Sequence, residues 1–283
     1  MPLRFSRRTK PPPWRSLLIP AILTLAAALA LPAWFLTPAP APASMPPEQH
    51  LEDLQYRVDV LLWKDVARVR LTLTSLGPGH YQAEVSGEPL GWLKLLAGQD
   101  RRDSYRTEMI WRGGRFVPLI YREESRRGGK RSLKEYRFDY DRGRLELWQL
   151  KEGHGLVRKW QTDLKSPIQD PLSAFYNCRL GLLGPLQDGQ TFRVNGIPYP
   201  KPEEIEVRIG PKTAEGRKTM IAINNKAFAN DRGVIFAYFD GHQVPSHGWT
   251  SVLKVGKITG ELLPGGKPLN ERLPEMAGAA AAK

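Results

Sequence analysis

Residues 136–147 read Tyr-Arg-Phe-Asp-Tyr-Asp-Arg-Gly-Arg-Leu-Glu-Leu, and the spacing within this stretch decides the fold class. Tyr136, Phe138 and Tyr140 alternate with Arg137, Asp139 and Asp141, and Leu145 and Leu147 then alternate with Arg144 and Glu146. Successive side chains of a strand point to opposite faces, so a period of two sends the rings and leucines one way and the charges the other. Asp141-Arg142-Gly143 between the two runs supplies the turn. The stretch is therefore predicted to be an antiparallel hairpin with one apolar face and one wet face.

The same rhythm extends in both directions. Upstream, Tyr56, Val58 and Val60 alternate with Arg57 and Asp59, and Val69, Leu71 and Leu73 alternate with Arg68, Arg70, Thr72 and Thr74. Downstream, strand-like runs recur at 192–194, 205–209, 220–223, 234–239 and 252–255. Gly77-Pro78-Gly79, Gly113-Gly114, Gly128-Gly129, Asn195-Gly196 and Asp240-Gly241 punctuate them. About a dozen strands with few helices between them predict an antiparallel sheet. We expect a mainly β fold over residues 51–263: a single strongly curved antiparallel sheet, an incomplete barrel or clam.

One segment keeps a different period. In Asp170-Pro-Leu-Ser-Ala-Phe-Tyr-Asn-Cys-Arg179 the aspartate suits an N-cap and the proline the first helical position. Leu172, Phe175, Tyr176 and Arg179 then share a stripe, predicting one α-helix over 170–183 that covers the concave face.

The N-terminal region reads as an address. Residues 1–16 are basic and acid-free, residues 17–36 are uncharged and apolar, and residues 37–50 form a Pro/Ala-rich linker. Twenty apolar residues make a hydrophobic helix of ~30 Å, enough to span a bilayer. A secretory signal cut near Ala41-Pro42-Ala43 and an uncleaved inner-membrane anchor both fit, and both deliver the body to a bacterial periplasm. Residues 264–283, rich in Gly, Pro and Ala, read as a flexible tail.

Composition narrows the function classes. The 283 residues carry a formal charge of +13 and a single cysteine, Cys178. One cysteine excludes an internal disulfide framework and any multi-cysteine zinc site. Residues 101–134 hold eleven Lys and Arg against four Asp and Glu, a local excess of +7. Such an excess suits anionic lipid headgroups, and the export signal argues against nucleic acid.

Four features in order resemble an exported bacterial family known only as domain of unknown function 3108. They are Tyr56-Arg-Val-Asp-Val-Leu-Leu-Trp63; Gly79-His-Tyr-Gln-Ala83 with its strand to Gly91; Asp170-Pro-Leu-Ser-Ala-Phe-Tyr176 followed by Arg179; and Val234–Asp240 with Val244-Pro245 and Gly256–Leu262. Gly241-His242-Gln243 departs from the charged residues that the family tends to place there. The resemblance implies an exported, mainly β protein and supplies no reaction.

Candidate sites each have a competing structural role. Asp170, Ser173 and Arg179 would suit a small ligand at a helix N-terminus; equally, Asp170 and Ser173 would cap the helix while Arg179 pairs with a sheet carboxylate. Asp240 with His242 and His247 has the donors for a metal, whereas the Asp-Gly pair reads as a turn. Cys178 has Arg179 beside it, which would lower its pKa, yet free cysteine is among the most often buried residue types. Glu123-Glu124 and Glu203-Glu204 are strand neighbours facing opposite ways, so neither pair is an acid/base dyad. Trp63, Trp92, Trp111, Trp148, Trp160 and Trp249 lie in strand-like surroundings, where they would line an apolar pocket or fill the core, Trp63 and Trp111 being the pocket candidates. With no nucleophile elbow, phosphate loop or dinucleotide fingerprint, we expect no enzyme and no cofactor. The expected activity is binding of an apolar or amphiphilic ligand such as a lipid. Scaffolding of another envelope protein through a strand edge, or an unrecognised hydrolase, are the alternatives.

Overall fold

The computed structural model of the chain describes residues 48–97, 100–164, 166–197, 202–223, 233–252, 255–269 and 273. Fourteen strands dominate them: β1 (Gln49–Val60), β2 (Trp63–Gly77), β3 (His80–Pro89), β4 (Arg102–Arg112), β5 (Arg115–Arg127), β6 (Lys130–Asp139), β7 (Arg144–Lys151), β8 (Gly155–Asp163), β9 (Thr191–Gly196), β10 (Glu203–Thr213), β11 (Gly216–Ile223), β12 (Gly233–Phe239), β13 (Pro245–Val252) and β14 (Gly256–Leu262). Helix α1 (Gly91–Ala97) stands between β3 and β4, and α2 (Pro171–Arg179) between β8 and β9. The quoted stretch is the β6–β7 hairpin, with Tyr136 opposite Leu147 and Phe138 opposite Leu145.

All fourteen strands form one antiparallel sheet in the order β8-β7-β6-β5-β4-β3-β2-β1-β14-β13-β12-β11-β10-β9. The sheet does not close into a barrel; β8 and β9 are its two edges. Yet α2 touches β3, β4 and β5 as well as β9. Laid flat, β5 and β9 would lie ten spacings apart, ~48 Å, several times the width of a helix. The sheet must therefore curl around α2. Gln169 strengthens this arrangement by pairing in parallel with Gly196 of β9, while Leu164 N–H donates to Gly143 O beside β7 (2.8 Å).

The period-two pattern sorts the faces as expected. Leu54, Tyr56, Val58, Val69, Leu71, Tyr81, Ala83 and Val85 are buried on the inner face together with Leu172, Phe175 and Tyr176 of α2. Tyr121, Tyr136, Phe138, Leu145 and Leu147 form a second cluster under Ile168, and Phe192, Ile205, Val207 and Ile209 a third under Cys178. Each valine, leucine, isoleucine or phenylalanine among them contributes about 1.5–3 kcal/mol when fully withdrawn from water.

Several boundaries differ from the sequence reading. The helix predicted over 170–183 stops at Arg179, where Leu180 leaves helical geometry and donates to Cys178 O and Tyr176 O. It is buried nearly all round, including Asn177, because the sheet wraps it instead of lying beneath it. Trp92 lies in α1 and not in a strand, since Gly91 (φ 49°) turns the chain out of β3. The stretch after Leu263, read as a flexible tail, is held as far as Leu269: Asp53 and Lys267 exchange backbone hydrogen bonds at 2.8 and 2.7 Å. The N-terminal hydrophobic stretch at 17–36 lies outside the described residues, among which no helix is long and apolar enough to cross a membrane.

Candidate functional site

The helix N-terminus is closed by its own side chains. Asp170 Oδ1 accepts from Leu172 N–H (2.8 Å) and Ser173 N–H (3.2 Å), and Ser173 Oγ accepts from Asp170 N–H (3.1 Å). Two otherwise orphaned amides are satisfied reciprocally, as a capping box requires. Both residues are fully buried. Burial pushes the Asp170 carboxyl above its ordinary pKa, opposed by the Thr107 and Ser173 hydroxyls and by the two amides.

Arg179, at the other end of α2, meets Glu52 of β1. Its two terminal nitrogens lie 2.7 Å from the two carboxylate oxygens of Glu52, a bidentate pair with both side chains out of water. Tyr176 Oη donates to Glu52 Oε2 (2.8 Å) and Leu269 N–H to Oε1 (3.1 Å), while Arg179 Nε donates to Gln243 O (2.5 Å). Burial works against the Arg179 charge, but Glu52 prevails and raises its pKa. Asn177 adds a third tie: it accepts from Phe116 N–H and donates to Phe116 O (both 2.8 Å) and Gln169 Oε1 (2.7 Å). Four segments distant in sequence thus converge on one helix. Of the candidates for ligand binding, Asp170 and Ser173 cap the N-terminus of α2 and Arg179 ties the helix to β1.

The remaining candidates disperse. Trp111 packs edge-on against Phe116 (5.3 Å), which also meets Tyr81 and Tyr176, so Trp111 joins the core. Trp63 stands half-exposed at the β1–β2 turn against Trp92 of α1, ring centroids 4.9 Å apart. Trp160 faces inward beside Tyr136. Trp148 lies outward under Arg137, and Trp249 stacks on Phe236 beside Lys218 and Lys257. The six tryptophans line no common pocket. Beneath α2 the inner face is filled by Tyr56, Tyr81, Phe116 and Tyr176, all fully buried, so that part of the concavity is occupied by the protein itself.

Asp240 behaves as turn chemistry demands: its Oδ1 accepts from His242 N–H and Val244 N–H, both at 2.8 Å. No His, Cys, Asp and Glu cluster with metal-binding geometry occurs among the described residues. Cys178 faces the third core cluster, and burial pushes its thiol up to about 12; Arg179 is turned away toward Glu52 and does not lower it.

The excess of positive charge over 101–134 is smaller than the sequence count implies, because acids from outside that stretch answer it. On the outer face Arg122 bridges Glu108 and Glu135 (2.6 Å each), Arg137 reaches Glu135 (2.6 Å), and Arg106 pairs with Glu84 (3.0 Å). Glu84 and Glu135 are outside the counted stretch. These pairs form a ladder across β3 to β6, each rung contributing at most about 1 kcal/mol where exposed.

Part of that stretch's charge gathers in a cleft of ≈ 670 Å³ between α1 and the β5–β6 turn. Lys94, Arg101, Arg102, Arg126, Lys130 and Arg131 line it against Glu88 and Asp100. Asp100 accepts from Gly129 N–H (2.8 Å) and Gly128 N–H (3.0 Å), which lower its pKa and shape the turn. Asp103 answers Arg101, and Glu124 answers Arg126 and Arg131. Six cations against these four acids leave a surplus of two, carried by Lys94 and Lys130, which have no ion pair among the described residues. Sequence reasoning marked the basic segment but missed Lys94, which the glycine turn into α1 delivers to the same wall.

Residues 55–215, from the middle of β1 to the β10–β11 turn, match the model of a family described as Protein of unknown function (DUF3108). Among solved structures, the fold is similar to that of a beta-barrel-like protein of domain of unknown function DUF1849 from Brucella abortus. The identity is 10%, with 75% of this chain and 94% of that chain covered and a TM-score of 0.34. No curated protein matches the chain.

Proposed function

We propose, for a chain that belongs to the DUF3108 family of proteins of unknown function, a role as a non-enzymatic binder of an anionic amphiphile such as a lipid in the bacterial envelope. The cleft between α1 and the β5–β6 turn carries the reading. It has room for a headgroup, a cationic surplus, and two lysines free to engage an anion. A phosphate-bearing headgroup suits it, since each nearby basic side chain contributes about 1 kcal/mol toward an anionic lipid. The filled centre beneath α2 directs the ligand to this rim and away from the middle of the concavity. The basic and apolar N-terminal segments support the envelope location.

Native mass spectrometry of the full chain, extracted in mild detergent, tests the proposal. We expect a mass increment matching a phospholipid, displaced by a soluble organic phosphate and lost in Lys94→Glu/Lys130→Glu. A bare protein mass, or an adduct indifferent to that double substitution, refutes it. The scaffolding alternative rests on β8, which ends the sheet with no strand on its outer side among the described residues. A stoichiometric protein partner in the same spectrum would favour it.

A further inference from the structure

Four large apolar side chains stand conspicuously in water among the described residues: Leu61 (54% exposed), Leu62 (94%), Trp63 (52%) and Leu95 (72%). They are not scattered. Leu61 and Leu62 are the two central residues of the β1–β2 hairpin, Trp63 opens β2, and Leu95 lies on α1, whose Trp92 touches Trp63. Two-residue hairpin loops favour Asn-Gly or Asp-Gly, because the backbone enters the left-handed region there. This hairpin has Leu-Leu instead, with Leu61 held at φ 53°. Its geometry is fixed from behind, by the Leu61 N–H bond to Lys257 O (2.9 Å) and by Gly256, where any Cβ would fall 2.5 Å from Leu61 Cδ2. A leucine in this conformation is strained, as Asp65 (φ 57°) and Gln243 (φ 59°) also are, and such strain is concentrated at functional positions.

The surroundings identify that purpose. Lys64, Lys94 and Lys257 are exposed around the apex. Asp59 answers Lys64 and Asp65 answers Arg68, while Lys94 and Lys257, the latter with its ammonium 5.5 Å from the Trp249 ring centroid, have no ion pair among the described residues. A convex apex of leucine and tryptophan ringed by lysine fits a deformable medium with a negative surface better than the flat face of a folded partner. We infer that the β1–β2 apex and α1 form a membrane-docking surface, in which Leu61, Leu62, Trp63 and Leu95 enter an anionic bilayer and the lysines meet its phosphates. This goes beyond the cleft reading and can fail independently of it, because it concerns bilayer insertion and not capture of a single ligand.

The test places an environment-sensitive nitrobenzoxadiazole dye on the full chain as Leu62→Cys in a Cys178→Ala background. A control carries the dye as Arg142→Cys, at the opposite end of the sheet. With vesicles of phosphatidylcholine and phosphatidylglycerol whose acyl chains carry bromine, the emission at 62 should shift to the blue and be quenched, while that at 142 should not. Vesicles of phosphatidylcholine alone should give a smaller effect, and Leu95→Glu should cut quenching at 62 by about tenfold. A dye at 62 that stays water-like on anionic vesicles overturns the inference, as does quenching untouched by Leu95→Glu. A blue shift that grows with protein concentration in the absence of vesicles also overturns it, showing that a second copy covers the apex.

Discussion

Replacing Arg179 by methionine removes the guanidinium and keeps most of the volume, which isolates the ion pair under α2. Glu52 would then retain only the Tyr176 hydroxyl and the Leu269 amide, and Gln243 O would lose its donor. A carboxylate stranded out of water costs about 3–5 kcal/mol. That is a large share of the about 5–15 kcal/mol that holds a domain together. Taking a urea dependence of about 3 kcal/mol per M, at the upper end for small proteins, the midpoint should fall by about 1–1.7 M. Equilibrium unfolding followed by tryptophan fluorescence would measure it. Pairing the change with Glu52→Gln removes the stranded charge while keeping an acceptor for Tyr176 and Leu269, so the double variant should recover about 2 kcal/mol or more. An Arg179→Met protein within about 1 kcal/mol of the parent, or a double variant no better than the single, would refute the assignment of Glu52–Arg179 as the tie between helix and sheet.

Three further outcomes follow from the same geometry. Tyr81 Oη is buried with no hydrogen-bond partner among the described residues, whereas Tyr176 Oη donates to the Glu52 side chain that Arg179 pairs with. Tyr81→Phe should therefore leave stability unchanged or raised, and Tyr176→Phe should cost about 1.5–3 kcal/mol; equal costs in urea would contradict the pairing. Cys178, its thiol pushed up to about 12, should react with a disulfide reagent at pH 8 on the order of 10³-fold more slowly folded than unfolded, a ratio read directly from absorbance. The Asp170 carboxyl is raised by burial, so its contribution is complete below the unfolded value of about 3.9 and is lost as pH climbs through the folded one. Asp170→Asn keeps the cap without the charge, and its stability relative to the parent should rise as pH goes from about 3 to 7. Parallel pH profiles would dismiss that account.

How much of this was legible in the sequence depends on the range of the interaction involved. Strand periodicity is local, so the hairpin at Tyr136–Leu147 and the apolar faces of β1 and β2 could be read directly. So could the Asp170 cap, whose partners are two and three residues away. The pairing of β1 with β14 could not, because their alternating patterns fit several neighbours equally well. Glu52 left a usable trace: it shares even parity with Leu54, Tyr56 and Val58, which marks a carboxylate on the apolar face and hence a buried cation opposite. The charge count over 101–134 misled because it stopped one residue short of Glu135 and left out Glu84, both of which lie across the ladder from its arginines. Lys94 and Leu95 escaped notice because α1 is a seven-residue helix set by one glycine, too short for a period to emerge.

Every neighbouring pair in the strand order is also consecutive along the chain, save β1 and β14. Joining residue 262 to residue 49 by a linker and cutting between β8 and β9 would yield a plain up-and-down meander. The native protein is that meander with its opening moved to the middle of the sheet, so the last of the described strands to be made must find the first of them. A ribosome that stops short of Gly256 releases two half-sheets with raw inner edges, joined through the connection that carries α2 and the Gln169–Gly196 bridge. Completeness of synthesis is thereby a condition for assembly, and premature products are marked by the edges they expose.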